Sequence, residues 1–462
     1  MDAYGLQMAK YASALQYDRI PREVTEWVKV LVLDTLGVAV FGSHLPWCRT
    51  VIDYSRYLAG PREATLWGSK GEKVAAPNAA LANGTCCHCF ELDETHRKSW
   101  LHAFGVTLPP ALAIGEGNGL TGKELIAVLV AAVDINIRVA MALNIEVVNR
   151  YGLHPTGGLG HFGAAIAASK ALRLPAEQMA RAFGLAGSRA MGTEIIKVDG
   201  SHLKRLYSGR AAHNGVESAL LAKMGFEGPL RILEGEYGGI FDVLWGVCDQ
   251  KKYDYGLLTQ GLGDDFSELL QIGIKPYPLH LHTHPSVDLA LDILKGESLD
   301  WKSIKSVEIR TRTRNVNRLS HRRPATVMLA QQSIPYAVSA AFVDGAFGVD
   351  QLSPEKLQDE NILEFSEKKV FLIADEAMDR AFPEKDPAEM VVKTSDGRVF
   401  TKKTNHSRGN PESPLSLGDI KDKFHNLAGR VLPKEQLSKL EDAVLNLEKC
   451  THVGQLTSLL CK

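Results

Sequence analysis

Apolar positions recur at helical spacing through roughly the first 265 residues. Leu31, Val32, Leu36 and Val40 fall on one face, and Pro21 ahead of them suits a first helical turn. Thr121 followed by Glu124 predicts a capping box before Leu125, Ile126 and Leu129. Pro175 with Glu177 predicts another helix start, carrying Met179, Ala180 and Phe183. The small residues of 163–169 would let neighbouring helices approach closely. The pattern changes after Tyr277. Val307, Ile309 and Thr311 alternate with charged residues, as on a half-buried strand. Residues 390–392 and 398–401 flank Asp396-Gly397, a two-residue hairpin signal, and 335–343 reads as a helix. Beyond the Gly/Pro/Ser-rich stretch 407–416, Leu437, Leu440, Val444 and Leu447 return to helical spacing, so the C-terminal residues are expected to pack back on the first domain. The predicted class is mainly α with a smaller α+β domain: residues 1–266 and 403–462 form a helical domain, and 267–402 an α+β lid.

Composition narrows the function. The 462 residues are 45% hydrophobic and 23% charged, an ordinary globular balance that excludes disorder and rod-like repeats. With 53 Lys+Arg against 54 Asp+Glu, the net charge is −1, so no global field favours nucleic acid or an anionic membrane as a partner. Seven cysteines, an odd number, form no disulfide framework and suit a reducing compartment. The N-terminal residues carry an early acid and no signal-like apolar run, which points to the cytoplasm. The most apolar runs, such as 125–133, fall short of the roughly 20 residues a membrane span needs.

Candidate chemistry lies in four places. Glu91, Asp93, Glu94, Thr95, His96 and His102 crowd carboxylates beside imidazoles, which suits acid–base work, although so polar a run also suits a solvated loop. The nearby Cys86, Cys87 and Cys89 with His88 suggest zinc, but they lack a second Cys pair at zinc-ribbon spacing, and the cysteines read as buried thiols. His154-Pro155 opens the Ala-rich helix and would sit at its N-terminus. Gly158 to Gly163 fits G-x-G-x-x-G only formally, because no strand precedes it. Lys204 and Arg205 lie in a cationic segment that reads either as a solvated face or as a carboxylate clamp. His280, His282 and His284 would share one face of a strand and could bind metal, but Pro276 and Pro278 argue against a regular strand.

Taken together, these motifs resemble the MmgE/PrpD family, which includes 2-methylcitrate dehydratases, cis-aconitate decarboxylases and iminodisuccinate epimerases. The resemblance rests on Phe90-Glu91-Leu92-Asp93-Glu94-Thr95-His96 with Leu101-His102, His154-Pro155-Thr156-Gly157, Lys204-Arg205-Leu206 with Gly209-Arg210, and Lys275-Pro276-Tyr277-Pro278 with Thr283-His284. A weaker block is Ile334-Pro335-Tyr336-Ala337. It implies a homodimer of two-domain subunits with an active site between the domains, acting on a small carboxylic acid without metal or organic cofactor. In that site Asp93, Thr95 and His102 would form one wall, His154 and Lys204 another, and His280 and Tyr336 would come from the lid, with Glu91 and Lys275 as neighbours. The shared chemistry is proton transfer at a carbon next to a carboxylate. This chain has Asp93-Glu94 where many members carry two aspartates, and Ala103 rather than Pro after His102. The Glu91-Leu92-Asp93 run and Leu101-His102 without Pro, with Pro46-Trp47, look more like the fungal cis-aconitate decarboxylases than the 2-methylcitrate dehydratases. A lyase that decarboxylates is therefore expected, with a dehydratase of a citrate-like acid or an epimerase of a dicarboxylate as alternatives.

Overall fold

A computed structural model describes the chain from residue 2 to 462, except residues 59, 146–148, 150, 236, 247–251 and 298 and the side chains of 197 and 198. It resolves into two compact units: Met1–Ile195, Leu203–Ile274 and Ser416–Lys462 form the first, Ile196–His202 and Lys275–Leu415 the second. The second unit thus begins and ends later than the 267 and 402 read from composition, and it takes in a short excursion ahead of Leu203.

The principal helices of the first unit are α1 (Tyr4–Ala14), α2 (Arg22–Gly42), α3 (Pro46–Tyr57), α4 (Ala76–Cys87), α5 (Ala103–Gly117), α6 (Gly122–Leu143), α7 (Pro155–Ala171), α8 (Ala176–Gly187) and α9 (Leu203–Lys223). Two short antiparallel pairs accompany them, β1 (Ala64–Thr65) with β2 (Lys73–Val74) and β3 (Thr95–His96) with β4 (Ile272–Gly273). The second unit contributes α10 (His284–Glu297), β5 (Ile304–Thr311), α11 (Ile334–Asp344), α12 (Glu360–Lys368), β6 (Val370–Ala374), β7 (Ala388–Thr394) and β8 (Val399–Thr404). The chain then returns to the first unit with α13 (Leu417–Ala428) and α14 (Lys434–Leu445).

Local signals set the helix ends. Pro21 caps α2, and Pro175 caps α8. The capping box is present: Thr121 Oγ1 accepts from the Glu124 N–H at 3.2 Å and Glu124 Oε2 accepts from the Thr121 N–H at 2.8 Å. The helix that follows is longer and more apolar than its local pattern predicts. At 22 residues α6 is, by length and composition, apolar enough to cross a membrane, yet 89% of its most apolar window is buried in the protein, as in a core helix. Its charged residues Asp134 and Arg138 pair at 2.8 Å one turn apart, and Arg138 also donates to Gln260 O at 2.6 Å.

The core of the first unit forms where α7 meets α5, α6 and α9, with α9 also against α4. Helices buried on every side need small residues where backbones meet. Ala164 in the 163–169 run faces Gly215: a Cβ at Gly215 would stand 2.4 Å from the Ala164 carbonyl carbon and 2.7 Å from the Ala165 nitrogen. Backbone cannot rotate away, so Gly215→Ala is expected to cost about 1–3 kcal/mol in urea unfolding through helix displacement. A stability equal to the parent's would mean that α7 and α9 are less closely apposed. At the other end, α13 and α14 pack on α2, and Leu437, Leu440, Val444 and Leu447 are buried, so the C-terminal residues do return to the first unit.

The second unit is built on a four-stranded sheet in the order β6-β5-β7-β8. Strands β5 and β6 are parallel, and the other two pairings are antiparallel. Val307, Ile309 and Thr311 are buried as their alternation predicts, with Val307 opposite Val392 and Ile309 opposite Met390. The hairpin at Asp396-Gly397 is one residue longer than predicted. Thr394 N–H donates to Arg398 O at 3.0 Å, leaving 395–397 as the loop, with Gly397 at φ 89°.

Candidate active site

The loop between α4 and α5 carries a dense polar cluster, and it is not a solvated loop. Glu91, Asp93, Glu94 and His102 are all buried, Asp93 and Glu94 fully. Asp93 Oδ2 accepts from His88 Nδ1 at 2.6 Å and lies 3.1 Å from His102 Nδ1. The same His102 nitrogen donates to the Glu94 carbonyl at 2.8 Å and lies 3.4 Å from Thr95 Oγ1. With Nδ1 of both rings donating, Nε2 is the basic nitrogen of each neutral imidazole.

Burial pushes the Asp93 carboxyl upward, but the His102 and then the His88 imidazole outweigh it and hold the group well below the usual carboxylate range. Its neighbour goes the other way. Burial, reinforced by the Asp93 charge, pushes Glu94 well above its ordinary value, so the two adjacent carboxyls are shifted in opposite directions. Glu94 Oε1 accepts from the Phe104 N–H at 2.7 Å, which fixes the loop to the start of α5.

His154 enters from α7. It is the N-cap, its Nδ1 accepting from the Gly157 N–H at 3.1 Å, so Nε2 carries the proton of the neutral ring. Its ring lies 6.0 Å from His88 and 4.8 Å from Tyr207, while the rings of His88 and His102 are 4.6 Å apart. A Cβ at Gly157 would stand 2.9 Å from the Tyr207 ring, so only glycine lets α7 begin against that tyrosine. Gly158 to Gly163 lie within α7, not in a loop after a strand, and pack against Leu153, Val106 and Asn136.

Lys204 enters from α9 and is paired with Glu91. It and Arg205 are 6% and 2% exposed, so the solvated-face alternative does not apply to them, while Arg210 on the same helix is exposed. Glu91 is held at φ 58°, in the left-handed region, which non-glycine residues adopt where surroundings over-determine the backbone.

The structure therefore brings Glu91, Asp93, Thr95, His102, His154 and Lys204 together within one unit and adds His88, which the sequence offers only beside the three cysteines and not as a partner of Asp93. The signal for His88 is its place five residues before Asp93 at the end of α4. Among the described residues, His88, Asp93 and His102 are the group that could hold a metal ion, their ligating atoms all within 4.8 Å of one another. Cys86, Cys87 and Cys89 are buried, and burial pushes the thiols of Cys87 and Cys89 well above their ordinary value. Cys248 lies outside the described residues.

The other site residues expected from the sequence belong to the second unit. Lys275 is its first residue after the excursion and is buried. His280 donates its N–H to Gln331 O at 2.9 Å. The three histidines do not lie along a strand: a 3₁₀ turn covers Leu281–Thr283, and His284 begins α10. His282 Nδ1 pairs with Asp386 at 2.7 Å, and His284 Nε2 with Leu279 O at 3.2 Å, so their partners differ. Tyr336, buried in the first turn of α11, donates its hydroxyl to Gln351 O at 2.7 Å.

Comparison with known proteins covers nearly the whole chain. The chain is 26% identical over 471 residues to the cis-aconitate decarboxylase of Aspergillus terreus, covering 98% of this chain and 95% of the relative. The cis-aconitate decarboxylases of Mus musculus and Homo sapiens are each 26% identical, over 450 and 464 residues, covering 94% and 96% of this chain and 88% and 92% of theirs. Residues 6–251 match the MmgE/PrpD N-terminal domain and 277–449 the MmgE/PrpD C-terminal domain, so that nearly the whole chain is accounted for and the protein belongs to the MmgE/PrpD family.

Proposed function

We propose that the protein is a lyase that decarboxylates a tricarboxylic acid of the cis-aconitate type. The observation that carries this reading is a buried ammonium, Lys204, in the same unit as the ionised Asp93 with its two imidazoles and the N-capping His154. Loss of CO₂ breaks a carbon–carbon bond and leaves its electron pair on carbon, conjugated to a remaining carboxylate. That charge needs cations already in place and a donor that returns a proton to carbon. Lys204 supplies the fixed charge: Glu91 takes one of its three N–H groups, and the others suit a substrate carboxylate. His154 Nε2–H donates a hydrogen bond to that charge in this reading, and the proton for carbon comes from Nε2 of His102 when that ring is protonated beside Asp93, which leaves His102 as the neutral imidazole. Asp93 holds His102 and His88 in one tautomer, so that Nε2 of His102 accepts a hydrogen bond from a protonated group or takes a proton. Near-complete coverage of the cis-aconitate decarboxylases supports the choice of acid.

The test is proton NMR in D₂O of the EDTA-treated protein with cis-aconitate, citrate, 2-methylcitrate and iminodisuccinate offered separately. Loss of CO₂ from cis-aconitate, with one deuterium incorporated in the product, is expected. Loss of water from citrate or 2-methylcitrate alone would make the protein a dehydratase, and exchange without change of mass an epimerase. Activity on cis-aconitate that returns only with added zinc would assign a metal to His88, Asp93 and His102 and overturn the proton-transfer roles of these residues.

A further inference from the structure

The loop that carries Asp93 is gripped by two cations, the buried Arg205 and the largely buried Lys423. Lys423, on α13, donates to Leu92 O at 2.8 Å, and its Nζ lies 2.6 Å from Asp34 Oδ1 on α2. The Lys423 side chain is 9% exposed and that of Asp34 1%. Arg205 donates to Cys89 O, its guanidinium 4.0 Å over the Trp47 ring and 5.9 Å from that of Phe90. Between the two gripped carbonyls stands Glu91 in its left-handed conformation, and the residue after Leu92 is Asp93. All of these residues belong to the first unit.

A buried ammonium is costly without a counter-charge, and Asp34 provides one. Stability alone would be met by that pair. The additional bond to Leu92 O is directional, charge-assisted and placed on the peptide that leads into Asp93, where small displacements matter most to the geometry of a reacting group. We propose that Lys423 is a positioning residue for the active-site loop, forming with Arg205 a two-point clamp on the carbonyls of Leu92 and Cys89 that sets where Glu91 and Asp93 stand. The C-terminal segment, 331 residues from Leu92 in sequence, thereby becomes part of the catalytic apparatus without touching substrate. The proposal rests on the reading of Asp93 and Lys204 as active-site residues.

The test uses the full-length protein with Lys423→Met, Lys423→Arg and the double variant Asp34→Asn/Lys423→Met, read by steady-state kinetics, thermal unfolding and backbone hydrogen exchange. In Lys423→Met, kcat is expected to fall about 100-fold with KM within about threefold, and exchange in 88–96 to quicken while α6 stays protected. Lys423→Arg keeps a cationic donor and is expected to restore both. The double variant leaves no unpaired charge, so it recovers thermal stability but neither kcat nor loop protection. Recovery of all three together would reduce Lys423 to a structural ion pair and overturn the proposal, as would a parent-like kcat in Lys423→Met. Should the parent turn over none of the four acids, the proposed function fails, and exchange alone decides the clamp: unchanged protection in 88–96 would refute it.

Discussion

A Lys204→Met protein is expected to lose about 100- to 1000-fold in kcat and to unfold more readily than its parent. The rate loss follows from removing a fixed cation at developing negative charge, where one preorganised donor is worth that much. The stability loss has a separate cause. Glu91 is 4% exposed and paired with Lys204, and deleting one member of a buried ion pair strands the other, typically at about 3–5 kcal/mol. A second substitution separates the two effects. Adding Glu91→Gln removes the stranded charge, so Lys204→Met/Glu91→Gln is expected to regain most of the stability and none of the rate. Urea unfolding and single-turnover kinetics on the two variants check this. A double variant that is both stable and active would remove Lys204 from the chemistry.

Replacing Asp93 by Asn is expected to lower kcat by about 1000-fold, with a stability change that depends on pH. Asn fits the space but cannot serve as the common anionic acceptor for His88 and His102, so the imidazoles lose the partner that fixes their tautomers and orientation. The folded state holds the Asp93 carboxyl well below its reference value of 3.8. The native protein therefore binds fewer protons there than the unfolded chain, and the resulting stability is fully present above the unfolded value. It is lost as the pH falls through the depressed folded one. Asp93→Asn should accordingly be less stable than the parent at pH 7, with the gap narrowing below about pH 4. A gap that widens in acid would mean that Asp93 is buried neutral, and a parent-like rate would exclude it from the site.

Much of the fold is legible in the sequence because its signals are local. Thr121 and Glu124 are one turn apart, the alternation of Val307, Ile309 and Thr311 spans a few residues, and Gly397 needs only its own φ. His154 at a helix N-terminus is legible for the same reason. The hairpin loop exceeds its signal by one residue because dipeptide chemistry names a turn without fixing its length. The 22-residue α6 outruns its apolar stretch because Asp134, in its middle, and Arg138 interrupt the apolar run, whereas in the helix they pair one turn apart.

The candidate site is legible as a set of motifs but not as an arrangement. Local polarity makes Glu91 to His96 and Lys204-Arg205 equally compatible with solvent, and nothing nearby in sequence announces that α9 and the loop ahead of α5 bury them against each other. By itself the sequence determined the principal elements, the mainly α class and the family, because periodicity, caps and motif order are properties of neighbouring residues. Only the tertiary structure decided that His88 shares Asp93 with His102, that Glu94 and Asp93 are shifted in opposite directions, and that Lys423 grips Leu92 from the far end of the chain. Those facts depend on burial and on contacts between distant segments, where a low dielectric turns ordinary polar side chains into strongly coupled ones.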